Sequence, residues 1–147
     1  MQTLNYDVIL IDIDSNEAYE QTETIRNDKN FFVTAFDNYS LKKGLEVVGK
    51  TQDKAIMTKI LFSREMLQEE DDYLNFLSFY YAIHWDDEKI YFPYDMGDST
   101  AIIEGQRTSK IKFKFLSEAY RDGLEAVVKE IEPEINRAQV KKILKNI

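Results

Sequence analysis

Phe31-Phe32-Val33-Thr34-Ala35-Phe36 is the stretch whose reading decides the fold. It is short, apolar and β-branched, with polar turn residues Asn27-Asp28-Lys29-Asn30 ahead of it. Such a run is the mark of a strand buried on both faces. Two further strand candidates bracket it, Val8–Ile13 upstream and Ala55–Phe62 downstream, although Ile56, Lys59, Ile60 and Ser63 also fit a helical spacing. Between them lie helical patterns. Ser15-Asn16-Glu17 can cap a helix reaching about Arg26, and Ser40 can cap one carrying Leu41, Leu45 and Val48 on one side. Ser63-Arg64-Glu65-Met66-Leu67 reads as a third helix start. The order β-α-β-α-β-α favours a small parallel sheet.

Glu69-Glu70-Asp71-Asp72 is a charge run and the best candidate boundary, dividing the chain into 1–70 and 71–147, which can also form one fused domain. Beyond it, Leu74–Trp85 is aromatic-rich, and Lys89–Tyr94 alternates and contains Pro93, which suits an edge strand. Thr100–Glu104 and Lys110–Phe115 read as further strands, the second with Ile111, Phe113 and Phe115 opposite Lys110, Lys112 and Lys114. Ser117 to about Glu132 reads as a helix broken by Pro133, with Gly123 an awkward residue inside it that also allows a helix starting after it, and Ile135–Ile147 is a last basic element of open type. The expected class is α+β: a parallel N-terminal segment, then a β-rich antiparallel part with one or two helices.

Charge divides too, further along the chain. Residues 1–99 hold 20 acidic and 9 basic side chains, whereas residues 100–147 hold 7 acidic and 10 basic, within a chain of net charge −8. Cations of the second part, Arg107, Lys110, Lys112, Arg137 and Lys141, are candidates for phosphate contacts. The acidic part is a candidate for docking on basic proteins, with Asp71, Asp72, Asp86 and Asp87 set among Tyr and Phe.

The 147 residues, 44% of them hydrophobic, are ample for a packed core. There is no cysteine, which removes disulfides, thiolate metal sites and a cysteine nucleophile, and fits a reducing, cytoplasmic setting. Asp7 and Asp12 interrupt the N-terminal apolar run, so it does not read as a signal peptide, and no apolar run reaches membrane-spanning length. His84 is the only histidine, so no multi-histidine site or histidine triad can be assembled. Asp12-x-Asp14-x-Asn16 has calcium-loop spacing, but Glu17 stands where that loop needs glycine. Asp12 and Asp14 are the remaining metal-ligand candidates. No glycine-rich phosphate loop occurs, no cofactor is implied, and no nucleophile–base pair can be assembled.

Asp7-Val-Ile-Leu-Ile-Asp12, Thr24-Ile-Arg26 and Phe32-Val-Thr-Ala-Phe36 with Tyr39-Ser-Leu41 together resemble the middle of a response-regulator receiver domain, in the style of the LytTR-type regulators. The resemblance implies a phosphoacceptor at Asp12, the hydroxyl residue at Thr34 and the conserved lysine at Lys59, with Phe36 or Tyr39 as the switch aromatic. Lys89–Asp95 with Ala101–Gly105 resembles the first strands of a LytTR DNA-binding domain, Gly123–Ile131 its short helix and Glu134–Arg137 its following segment. That implies DNA contacts by Arg107, Lys110 and Arg137. The chain departs from the family: the strand and acids that clamp magnesium have no counterpart ahead of Asp12, and Ile60 follows Lys59 where the family prefers proline. The expectation is therefore a regulator that binds without catalysing: protein is the expected partner class, DNA and a second copy are further candidates, and no membrane is involved. The other reading is a small acidic inhibitor, of the immunity, phage anti-defence or nucleic-acid-mimic kind, that blocks a protein target.

Overall fold

The computed structural model describes residues 7–13, 15, 17–18, 28–50, 56–63, 68–93, 95–110 and 112–146. Among them the elements run β1 (Phe31–Ala35), α1 (Asn38–Gly49), β2 (Ile56–Ser63), α2 (Gln68–Ser78), β3 (His84–Pro93), α3 (Met96–Thr108), α4 (Glu118–Ile131) and α5 (Arg137–Asn146). Single 3₁₀ turns occupy Phe79–Tyr81 and Phe113–Phe115. The strands form one sheet in the order β1-β2-β3, parallel throughout. The fold is mixed α and β around a parallel sheet, as the alternation of runs and caps predicts.

The register assigns side chains to two layers. Phe32, Met57 and Leu61 enter one core with Leu41 and Leu45 of α1 and Leu74 of α2. Ile60, Ile90 and Phe92 enter the other, packed by Tyr120, Leu124 and Val127 of α4. Helices thus cover both faces, which is why β1 and β2 read as largely apolar runs. Asp37 caps α1, accepting a hydrogen bond from Ser40 N at 2.8 Å, so Ser40 is the donor of the cap and not its acceptor. Ser117 caps α4 through Tyr120 N at 3.1 Å, as its position ahead of the helix predicts.

The antiparallel, β-rich second part is corrected. Thr100–Glu104 lies within α3. Asp95 Oδ1 caps that helix by accepting from Gly97 N at 2.6 Å, and the hydroxyls of Ser99 and Thr100 turn back onto the carbonyls of Asp95 and Met96. A short apolar run such as Ala101-Ile-Ile103 fits either period, and the cap decides for helix. The described residues of Lys110–Phe115 form no strand either: Phe113–Phe115 is a 3₁₀ turn, Leu116 is the buried anchor, and the ammonium groups of Lys112 and Lys114 lie over the Phe115 ring. β3 is an edge strand with Pro93 at its last position, yet it runs parallel to β2. The run Glu69–Asp72 forms the first turn of α2, and one sheet joins the residues on either side of it. Carboxylates are favoured there by the positive end of the helix dipole.

Val8–Ile13 is described without strand pairing, and Val8, Ile9, Leu10 and Ile11 are exposed. Glu17 and Ala18 are helical, with Ser15 Oγ accepting from Ala18 N at 3.2 Å, the cap expected there. Gly123 is accommodated inside α4 because it lies against β3: a Cβ at that position would stand 2.9 Å from the Tyr91 carbonyl oxygen and 2.9 Å from the Phe92 ring. Among the described residues no helix is long and apolar enough to cross a membrane.

Candidate functional site

Helix α2 is amphipathic in an unusual sense. Its inner side carries Asp71, Leu74 and Ser78, all buried, at i, i+3 and i+7. Its outer side carries Glu69, Asp72, Tyr73 and Phe76, and Tyr80 continues that side beyond the helix end. A helix normally turns its aromatic residues inward. Here Asp71 and Ser78 share the inward side with Leu74.

The inner contact is a buried ion cluster. Lys59 Nζ of β2 meets Asp71 Oδ1 at 2.6 Å and Asn75 Oδ1 at 2.7 Å, and Lys89 Nζ of β3 meets Asp71 Oδ2 at 2.9 Å. The Lys59 and Asp71 side chains are each 6% accessible. Lys59 also stands 5.3 Å from the centre of the Trp85 ring. Burial alone would raise the Asp71 carboxyl, but hydrogen bonds and charge from Lys59 and Lys89 outweigh it and hold the group below the usual carboxylate range. The hydrogen bond from Lys89 to Asp71 likewise raises the lysine above its ordinary value. Nearby, Ser63 Oγ donates to Glu70, and Trp85 Nε1 donates to Ser78 Oγ at 2.8 Å. Burial first, then the carboxylates of Asp71, Glu70 and Asp72, push the Tyr91 phenol upward against Lys89. Strand residues thus clamp α2 in one rotation about its axis.

That rotation fixes what faces solvent. Phe76 is 61% exposed, Phe79 82% and Tyr80 75%. The Tyr80 ring lies edge-on to both Phe76 and Phe79, with centroids 6.1 Å away in each case. Tyr73 is pinned to α1 by its hydroxyl donating to Asn38 Oδ1 at 3.1 Å. Carboxylates of Glu69 and Asp72 border the group one and two turns back. Contiguous aromatic surface bordered by charge is what distinguishes a docking face from scattered surface apolar residues.

Of the four acidic candidates, Asp72 and Asp87 are exposed and Asp71 is the buried clamp. Asp86 sits where the β2–β3 register shifts, accepting from Thr58 Oγ1 at 3.3 Å and facing Lys29 at 3.8 Å. The backbone N–H of Glu88, then Lys29 and Thr58, hold its carboxyl low despite partial burial.

The receiver-like trio does not assemble. Thr34 and Lys59 belong to one face of the sheet by the alternation of paired strands, but the Thr34 hydroxyl donates to the Ala35 carbonyl at 2.8 Å and the Lys59 ammonium is held by Asp71 and Asn75. Asp12 is exposed and makes no described contact with either. Asp14 lies outside the described residues. No group of three or more His, Cys, Asp or Glu side chains able to hold a metal is present among those residues.

The cationic candidates divide. Arg137 Nε meets buried Glu125 at 2.8 Å and its guanidinium reaches Asp122 at 3.3 Å, so it fastens α5 to α4. Arg107 pairs with Glu104 one turn away at 3.4 Å. Lys110, Lys112 and Lys141 are exposed, and the turn holding Lys112 and Lys114 packs against α5, which carries Lys141 and Lys142.

Sequence reasoning singled out carboxylates mixed with aromatics in this region, but not Phe76, Phe79 and Tyr80 individually, nor Asn75. The signal was available in the spacing of Glu69, Asp72, Tyr73, Phe76 and Tyr80, which is helical and places aromatic rings on the same side as acids. No family model, no curated protein and no solved structure matches the chain.

Proposed function

We propose that this chain is a non-enzymatic regulatory protein that acts by docking on a protein partner through the outer side of α2 and the turn after it. The observation that carries the reading is the exposed Phe76–Phe79–Tyr80 cluster bordered by Glu69 and Asp72, on a helix locked from beneath by the Lys59–Asp71–Lys89 cluster. Aromatic side chains supply affinity at low entropic cost, while carboxylates steer docking and select against acidic partners. The fitting partner surface is an apolar recess edged with lysine and arginine. An inhibitor that covers a basic active surface would use this face in the same way. The lack of cysteine suits action in the cytoplasm.

The test is quantitative affinity capture with the intact protein and with Phe76→Ala/Tyr80→Ala, the fold of each checked by circular dichroism. The reading expects a stoichiometric partner retained by the parent, weakened by salt and lost on the double substitution. Equal capture by both proteins refutes it.

A second reading, DNA contact through the basic C-terminal part, draws on the packing of the Lys112–Lys114 turn against α5. It is the reading that the resemblance to LytTR-type regulators implies. A duplex shift weakened by Lys112→Ala/Lys141→Ala and by salt would favour it, whereas Arg137→Ala would act through stability, because Arg137 is committed to Glu125.

A further inference from the structure

Two surfaces of this chain are incomplete, and they match. The first is the edge of the sheet at β1. Among the described residues β1 pairs only with β2, which leaves its outer row of N–H and C=O groups without a strand partner. Val33 points to the same face as Ile60 and Ile90, yet it is 59% exposed, whereas Ile60 and Ile90 are covered. The apolar layer supplied by α4 therefore reaches Phe31 at the start of β1 but leaves Val33 uncovered. Parallel sheets are ordinarily covered on both faces, and an open apolar edge is a template for pairing.

The second surface is Val8-Ile9-Leu10-Ile11-Asp12-Ile13. It has the composition of a strand buried on both faces, with Val8 and Leu10 alternating against Ile9, Ile11 and Ile13. In the structure it pairs with nothing described, and Ile9 and Leu10 are 69% and 78% exposed. It does not lie on the β1 edge of its own chain.

We propose that a second copy of this chain covers the open edge: Val8–Ile13 of each copy adds to β1 of the other as a fourth strand, in a reciprocal exchange. The occupant follows from what the fold offers. Among the described residues each copy carries one apolar segment and one sheet edge without a strand partner. Reciprocal exchange satisfies both in a closed two-fold assembly, with neither element left over for a third copy. The α2 docking face is built on the other side of the sheet from Val33, so exchange leaves it free for a partner.

The absence of cysteine makes the test direct. Two differently tagged copies of the full chain are mixed and oxidised, one with Val33→Cys and the other with Ile9→Cys or Leu10→Cys in separate mixtures. Light scattering on the parent should give twice the 17.3 kDa chain mass. At least one mixture should yield a disulfide joining the two tags, and Phe76→Ala/Tyr80→Ala should leave the dimer intact. A parent of single-chain mass overturns the proposal. So does a disulfide formed only within one chain when both cysteines are placed on it, which would mean closure onto its own edge. A dimer that cross-links in neither mixture overturns strand exchange as its basis.

Discussion

Asp71→Asn is the substitution with the sharpest expected effect. The Asp71 side chain is 6% accessible and accepts from two ammonium groups, Lys59 at 2.6 Å and Lys89 at 2.9 Å. The amide keeps the shape and one acceptor oxygen but removes the charge, leaving Lys59 buried against Asn75 and the Trp85 ring alone. Breaking a buried pair from one side costs about 3–5 kcal/mol, because the surviving charge stays desolvated. The retained amide oxygen places this case near the lower end, about 3 kcal/mol. For a domain of this size each kcal/mol is worth roughly 2–4 °C, so Tm should fall by about 6–12 °C. Urea titrations of the parent, Lys59→Met, Asp71→Leu and the Lys59→Met/Asp71→Leu double variant form the cycle, with Asp71→Asn measured beside them. The double should recover most of the loss, since apolar replacement of a buried pair is often neutral or better, and Lys89 is exposed enough to hydrate. A loss below about 0.5 kcal/mol for Asp71→Asn, or additive costs in the double, would refute the claim that this cluster clamps α2.

Three further outcomes follow from the same structure. The Asp71 carboxyl is held low in the fold, so its contribution is fully present above the ordinary carboxylate value of about 4 and is lost as pH falls through its native value; the gap in urea midpoint between parent and Asp71→Asn should stay constant at neutral pH and narrow only below about pH 4. Gly123→Ala should destabilise by about 1–3 kcal/mol despite a gain in helix propensity of about 1 kcal/mol, because the new Cβ meets the Tyr91 carbonyl at 2.9 Å; a raised Tm in a thermal melt would contradict it. Ser109→Gly should stabilise by up to about 1 kcal/mol in the same melt, since Ser109 closes α3 at φ 53, a left-handed conformation that glycine adopts without penalty.

What was legible in the sequence was local. β1 showed itself through a short, mostly apolar run, β2 through another that also fitted a helical spacing, and α4 through Ser117 and Pro133. Thr100–Glu104 was not legible as helix because its apolar run is too short to fix a period, and the deciding cap, Asp95, lies outside it. The alternation in Lys110–Phe115 mimicked a strand because lysines that stack on Phe115 in a turn occur at the same spacing as lysines on a sheet face. Glu69–Asp72 looked like a boundary because a run of charge carries no sign of which member is buried; only the arrival of Lys59 and Lys89 from two strands selects Asp71. Tertiary partnership of that kind leaves no mark on neighbouring residues.

The docking claim is tested most directly by the difference between partners captured by the intact protein and by Phe76→Ala/Tyr80→Ala at matched folding. The account predicts a stoichiometric, salt-sensitive partner with a basic, apolar surface that disappears with the two rings. An unchanged set of captured proteins, or capture abolished instead by Lys112→Ala/Lys141→Ala, would contradict it.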